Sequence, residues 1–529
     1  MYLRKFFYSE KIIFFFIIIL SIFFSISYSF DQIAIEGGLV IADIIKYPDD
    51  LSIMKVFYKN SWTVINQIAA ILLKLNLSNI TISRIFLFVS TCLYFFGIFF
   101  IIKCLTKKIY LSFILSFFIL LFRKYLGHLD YPTMIFHELT WGMMSGSLVT
   151  FIFGLLFNRQ LFLAGFFAAI LIGMHILVGL WIFFVIITSL TLYKIFYSNI
   201  FNKILIFKKL SSGFFLGLVP TLFFFFYYLL NRIPVSEVNI DLYKIYLTTW
   251  DWHLNVPGGV VLSYFIFSIA LLIVIYFLKN QKLLFELQFA FLVIFVSIFF
   301  SAILYIFYKL NPNIFPIFLL KAMPSRYFIL HSVIVYPIFS SAIYIFLSNY
   351  FDNKKYNKKI INFLFFFIIF YYSVSHYKYI LLRVESFKEN LENKIDLNNK
   401  FFWEKVKNEE IVGYILTTQE TNEPAFRIAH KPILLRTTSM DIMRMLPYTT
   451  LKFKQIVEDV YGLSFINPPE KYLASIPDIY FKKTFENRGK DEWISISKKH
   501  NISSVIVPSE WKLNLKLKFS NDKYSYYIF

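Results

Sequence analysis

Charge is scarce in this chain. Asp, Glu, Lys and Arg make up 16% of its 529 residues, where a soluble domain carries roughly 25%. Hydrophobic residues account for 58%, so the composition belongs in a bilayer. Acids are scarcer than bases, 32 against 53, which leaves a net charge of +21. Cysteine is nearly absent. Cys92 and Cys104 fall in one apolar run, about 18 Å apart on a helix rising 1.5 Å per residue, too far to pair. A disulfide framework and a cysteine-based metal site are both excluded. There is no Walker loop, dinucleotide fingerprint, Cys-x-x-Cys pair or Gly-x-Ser-x-Gly elbow, so nothing points to a nucleotide-sugar or ATP site. The excess of Lys and Arg does not indicate nucleic acid either. It sits mostly in short loops between apolar runs, where the positive-inside rule places it.

What is abundant is the membrane-spanning run. About 20 apolar residues cross a bilayer. Spans are expected near 12–30, 82–103, 109–123, 141–157, 160–174, 176–196, 211–230, 261–278, 286–308, 326–348 and 360–377, about eleven in all. The expected fold class is therefore a polytopic α-helical membrane protein with a small C-terminal α/β domain outside the membrane. The 68 Phe, with many Ile, Lys, Asn and Tyr, suit an AT-rich genome and the inner (plasma) membrane of a bacterium. The basic loops around Lys5, Lys107, Lys203 and Lys358 fall on one side if the N-terminus is cytoplasmic. The C-terminal domain is then periplasmic or extracellular. Gly142/Gly146 and Gly213/Gly217 have the small-xxx-small spacing of packed helices.

The membrane part is expected over 1–383, with outer loops 31–81, 123–141, 231–260 and 309–325. The tail, 384–529, carries scattered charges of both signs and is long enough for its own core. Residues 386–408 read as a polar helix. Short apolar runs at Val412–Thr417, Pro432–Leu435, Ser504–Val507 and Tyr524–Phe529 alternate with helical stretches near 449–460 and 487–499, a pattern of strands and helices.

The few acids of the membrane part gather in the outer loops, and carboxylates collected on one face indicate a site there. In the first loop, Asp31, Glu36 and Asp43 are the candidate catalytic residues: one of them would take the proton from an attacking hydroxyl. Glu36 and Asp43 are seven apart, so a continuous helix would put them on one face. Gly37 and Gly38 permit close backbone approach. Residues 53–74 read as amphipathic, with Tyr58 and Trp62 suited to the membrane interface. The second loop offers His128, Asp130, His137 and Glu138 as substrate-binding groups. His137-Glu138-Leu139-Thr140-Trp141 starts like a zinc-protease helix, but Trp replaces the second His. His175 interrupts two apolar stretches, as a functional ionisable group or as a helix-break histidine. Trp250 and Trp252 would stack on a sugar, with Asp251 and His253 beside them; interfacial anchoring is the competing role. Lys321 and Arg326 suit a lipid phosphate, or anchor a span. A divalent metal, Mg or Mn, has candidate ligands in Asp31, Glu36, Asp43, Asp130 and Glu138.

These features together resemble the GT-C superfamily of lipid-carrier-dependent glycosyltransferases, more narrowly an uncharacterised bacterial branch. The resemblance rests on Glu36-Gly-Gly-Leu-Val-Ile-Ala-Asp43 with Tyr47-Pro-Asp49, the His175 segment, Trp252-His253, Pro324-Ser-Arg326, Glu423-Pro-Ala-Phe-Arg427 and Lys431-Pro-Ile-Leu-Leu435. It implies a polyprenyl-phosphate sugar donor, a glycan, lipid or protein acceptor, inverting transfer, and a first-loop acid as the catalytic group. An Asp-x-Asp or Glu-x-Asp pair, usual in that loop, is missing here. The alternatives are a surface-polysaccharide polymerase or ligase working through outer-loop arginines, a transporter, and a non-catalytic scaffold on a similar fold.

Overall fold

The computed structural model describes residues 10–27, 33–118, 140–196, 203–235, 238–251, 258–277, 284–322, 332–351, 367, 371, 374, 377–392, 397–438, 440–473 and 475–529. The expected span 360–377 and the loop 123–141 lie almost wholly outside these residues.

Among the described residues, five helices are long and apolar enough to cross a membrane: Glu10–Ser27, Asn79–Thr106, Ile176–Phe196, Phe207–Asn231 and Glu286–Leu310. Val64–Lys74, Trp141–Phe157, Leu161–Met174 and Ile334–Ser348 are apolar but shorter. The expected number of eleven spans is thus reached only in part. Helix Glu10–Ser27 buries Ile13, Ile17, Ser21 and Phe24, positions one turn apart along one face. Phe14 on this helix meets Phe96, Phe99 and Phe100 edge-on at 5.3–5.9 Å between ring centres. The 203–231 helix turns Phe215, Val219, Phe223 and Phe226 outward, each more than 60% exposed. A continuous exposed apolar face of this kind is stable against lipid, not water.

Small residues set the helix spacing. A Cβ on Gly213 would lie 1.9 Å from the Phe162 carbonyl oxygen, and one on Gly217 would lie 2.2 Å from that of Phe166. Gly165 faces back toward the Leu210 carbonyl in the same way. Backbones therefore touch along this pair, as the Gly213/Gly217 spacing predicts. Gly97 and Gly154 do the same between the 79–106 and 141–157 helices. His175 leaves helical geometry at φ −154° and separates helices Leu161–Met174 and Ile176–Phe196. Its Nδ1 accepts from the Val178 amide at 3.4 Å, and the Thr63 hydroxyl donates to the Met174 carbonyl at 2.8 Å. The chain folds back there, because a Cβ on Gly179 would come within 2.6 Å of Ile172 Cα. His175 thus stands at a helix break.

The tail forms a four-stranded sheet, order β1-β2-β4-β3, from β1 Tyr414–Thr417, β2 Ile502–Pro508, β3 Lys516–Ser520 and β4 Tyr524–Ile528. β1 and β2 are parallel, and the remaining pairs are antiparallel. Helices Leu397–Asn408, Gln419–Arg427, Thr450–Asp459 and Lys490–His500 surround it. The polar helix expected over 386–408 is two helices, Tyr377–Glu392 and Leu397–Asn408. Pro432–Leu435 contributes a single bridge, Ile415 to Ile433, not a strand. Trp403, Trp493 and Trp511 are buried in this core.

Candidate functional site

The tail packs on three loops of the preceding helical part, and Glu36, one of the acids expected to do chemistry, helps to hold it there. Helix Ile33–Ile41 carries Glu36. Gly37 and Gly38 bring it into backbone contact with the Val64–Lys74 helix: a Cβ on Gly37 would lie 2.3 Å from Asn66 and one on Gly38 would lie 2.7 Å from Ala69. Glu36 is consequently 1% exposed. Tyr58 Oη donates to Glu36 Oε2 at 2.5 Å, Arg427 Nε donates to Oε1 at 2.9 Å, and Arg436 donates to Oε2. Glu423 closes the cluster, 3.1 Å from Arg436 and 3.6 Å from Arg427. Burial first, and then the Glu36 charge, push the Tyr58 phenol well above its ordinary value. Tyr58 is thus a hydrogen-bonded core residue, not an interfacial anchor.

Both oxygens of this carboxylate already accept hydrogen bonds from two guanidiniums and a phenol, which leaves little room for an acceptor hydroxyl to reach it. Asp43 corrects a second expectation. The helix ends at Ile41, and Asp43 adopts a left-handed φ of 57°, so it does not share a helical face with Glu36. Its side chain is 66% exposed and paired with Lys59 at 2.9 Å. Glu36 and Asp43 therefore do not fit one shared divalent metal. Among the described residues no cluster of three metal-ligating side chains gathers. Asp49, which the motif also contains, joins the tail through Lys452 at 2.5 Å. Burial alone would raise its carboxyl, but Lys452 and the Leu51 amide hold it below the usual carboxylate value.

The second contact region centres on Arg444, which is 1% exposed. Its Nη2 donates to the carbonyls of Leu320 and Lys321 at 2.9 and 2.6 Å. Its Nη1 lies 3.6 Å from Asp251 Oδ2, and the Tyr243 hydroxyl donates to the Arg444 carbonyl. The Nε and Nη1 groups make no hydrogen bond among the described residues. The Lys321 ammonium is pushed down by burial first, then by the adjacent Arg444 cation. Arg444 and Asp251, from the tail and one loop, thus form a buried pair, and the half-buried Lys321 of another loop joins it through its carbonyl.

Trp250 belongs to this junction, but not as a sugar platform. It is fully buried, with Nε1 donating to the Phe465 carbonyl at 2.7 Å and its ring edge-on to Phe453 at 5.5 Å. Asp31, His128, Asp130, His137, Glu138, Trp252, His253 and Arg326 lie outside the described residues. Arg427, Arg436 and Arg444 were missed as site residues by sequence reasoning. The first stands in a tail motif that had been singled out, yet nothing local marks a tail arginine as the partner of an acid some 400 positions earlier.

No protein-family model matches the chain, and no curated protein matches it.

Proposed function

We propose that the chain is a GT-C-type membrane glycosyltransferase, moving a sugar from a polyprenyl-phosphate-linked donor to an acceptor hydroxyl on the tail side of the membrane. The observation that carries this reading is the junction of Lys321 with the buried Arg444 and Asp251. Arg444 keeps two buried N–H groups without hydrogen bonds among the described residues. Lys321 is held close to a like charge. With Asp251 as the one acid paired to Arg444 among the described residues, a further anion at this junction would be favourable. A phosphate on a lipid carrier, delivered at the membrane boundary, is an anion of the right kind.

In the proposed reaction a carboxylate takes the acceptor's hydroxyl proton, and the freed oxygen attacks the anomeric carbon. The bond from that carbon to the phosphate oxygen breaks, and polyprenyl phosphate leaves with the electron pair. Lys321 and Arg444, with Arg326 nearby in sequence, stabilise the leaving charge. Glu36, whose oxygens are already committed, acts by fixing the tail. The base role then falls to Asp31 or Asp43. Any Mg or Mn requirement rests on Asp31, Asp130 and Glu138. The second-loop groups His128 and His137, with Trp252 and His253, remain the proposed lining for donor and acceptor.

One observation favours a second reading, a non-catalytic scaffold: the two buried tail-side acids, Glu36 and Asp251, both face arginines. Lipid-linked sugars profiled in a deletion strain separate the two. Accumulation of one lipid-linked species, reversed by the wild-type gene and not by Asp31→Ala or Lys321→Ala, supports transfer. An unchanged profile rejects it.

A further inference from the structure

On the tail, at the β3 edge of the sheet, lies a hollow of about 260 Å³ lined by Phe401, Phe402, Lys405 and the β3–β4 turn from Phe519 to Asp522. β1 contributes Tyr414, whose hydroxyl meets Ser52 of the first loop. β3 is at the opposite end of the order β1-β2-β4-β3, three strand spacings or about 14 Å away. The hollow shares no lining residue with the Arg444 junction.

Its walls are rigid. Phe519 stacks on Tyr526 at 4.8 Å with the planes 4° apart, and Phe402 meets Phe519 and Tyr524 at 5.4 and 5.6 Å. The turn is pinned by Asn521, whose Oδ1 accepts from the Lys523 and Tyr524 amides at 3.0 and 2.7 Å. Asn521 Nδ2 also donates to Asn399 at 3.3 Å, tying the turn to the 397–408 helix. Over this floor Phe401 is 61% exposed, a large apolar ring held open to solvent on the polar 397–408 helix. Around it stand an ammonium, Lys405, a hydroxyl, Ser520, and a carboxylate, Asp522, all exposed. A flat apolar face ringed by a few polar side chains is the general plan of a small-ligand site. The ligand that matches it has one apolar face and hydroxyls around its rim, which is a pyranose ring.

We propose that this hollow is an accessory sugar-binding site, which holds a glycan acceptor by one of its sugar rings at a distance from the reacting end. Phe401 provides the stacking face. Asp522 accepts from vicinal hydroxyls, and Lys405 donates to a ring substituent. The volume, somewhat below the roughly 300–1,000 Å³ of drug-sized sites, admits one ring at a time. The proposal rests on the glycosyl-transfer reading for the role of the ligand, but not for its binding.

The test uses the full chain in nanodiscs with no donor present. Glucose, galactose and N-acetylglucosamine are offered separately, and saturation transfer from protein to sugar is read by NMR. At least one should receive saturation at millimolar concentration. Phe401→Ser should lower its affinity at least tenfold, and Asp522→Asn should lower it by several-fold. Lys512→Ala, on the same domain, should leave it unchanged. Unaltered melting of the variants shows that the domain remains folded, as expected for exposed positions. No saturation of any of the three sugars overturns the proposal, and so does saturation that survives Phe401→Ser. A chain that binds sugar without transferring it loses only the catalytic reading. One that transfers without binding loses only the accessory site.

Discussion

Glu36 and Arg436 stand 400 residues apart in the chain and form a buried ion pair. Arg427 binds the other oxygen of the same carboxylate at 2.9 Å. Removing the acid charge leaves two guanidiniums in a site almost closed to water, and breaking a buried pair from one side typically costs about 3–5 kcal/mol. Glu36→Gln should therefore loosen the tail. The checks are hydrogen exchange of the 423–436 backbone, expected to rise, and the melting temperature of the full chain, expected to fall. Adding Arg436→Met to Glu36→Gln should recover part of that loss, since the double variant buries one fewer unpaired charge. A Glu36→Gln chain as stable as wild type would show that the pair does not hold the tail.

Lys321 should show opposite signs in two measurements. Its ammonium is pushed down by burial and by Arg444, so the native fold bears the cost of keeping it charged. Lys321→Met removes that cost and keeps most of the apolar stem, and should raise stability slightly. If the cation meets a lipid phosphate, the same variant should lose polyprenyl phosphate seen bound by native mass spectrometry. Arg444→Lys should behave differently. It retains a charge but not the fork that reaches both the Leu320 and Lys321 carbonyls, so it should lose stability as well as ligand.

Local pattern carried much of the fold into the sequence. Apolar runs mark the spans Glu10–Ser27 and Asn79–Thr106, and Gly213/Gly217 mark a helix pair that the structure closes to backbone contact. In the tail, the runs at 412–417, 504–507 and 524–529 locate β1, β2 and β4, whereas β3 is missed. β3 reads Lys-Leu-Lys-Phe-Ser, an edge strand with mostly exposed side chains, and such a strand has little hydrophobic signal to give. The site was less legible for a different reason. Glu36 and Asp251 look like free outer acids until the arginines that neutralise them arrive from the tail. Pairing across such a separation has no local sequence signature. Trp250 failed in the same way, because an aromatic beside a span reads alike whether it faces sugar, lipid or, as here, Phe453 and Phe465.

The glycine contacts make a sharp mutational contrast. Gly213→Leu must push the 203–231 helix away from Phe162, whose carbonyl occupies the position of the new Cβ. Overpacking of this kind costs typically about 1–3 kcal/mol, occasionally more. Val219→Leu, on the outward face of the same helix, should cost almost nothing. The yield of monodisperse protein after extraction compares the two directly, and equal yields would mean that the helix pair is not close-packed.

The tail should weaken in mild acid, and His500 gives the reason. Its Nε2 lies 2.9 Å from Asp459 Oδ2, an arrangement that favours the imidazolium. Burial opposes this more strongly, and the histidine is held below its ordinary value. His430 is lowered as well, by burial first and by Lys407 next. A histidine with a depressed folded pKa binds its proton more readily in the unfolded chain, where it titrates near about 6.5. Stability should therefore be complete above that pH and decline as the pH falls through it towards the folded values. Asp459 acts in the same direction at lower pH. Burial would raise it, but Lys499 and His500 bring it below the usual carboxylate range, so its contribution is lost only as the pH drops through that lowered value. Melting of the full chain at intervals from pH 8 to pH 5 checks the first step. The tail's transition should move down between pH 7 and pH 5, and His500→Gln with His430→Gln should flatten that slope. A wild-type slope that persists in the double variant would assign the acid sensitivity to other groups.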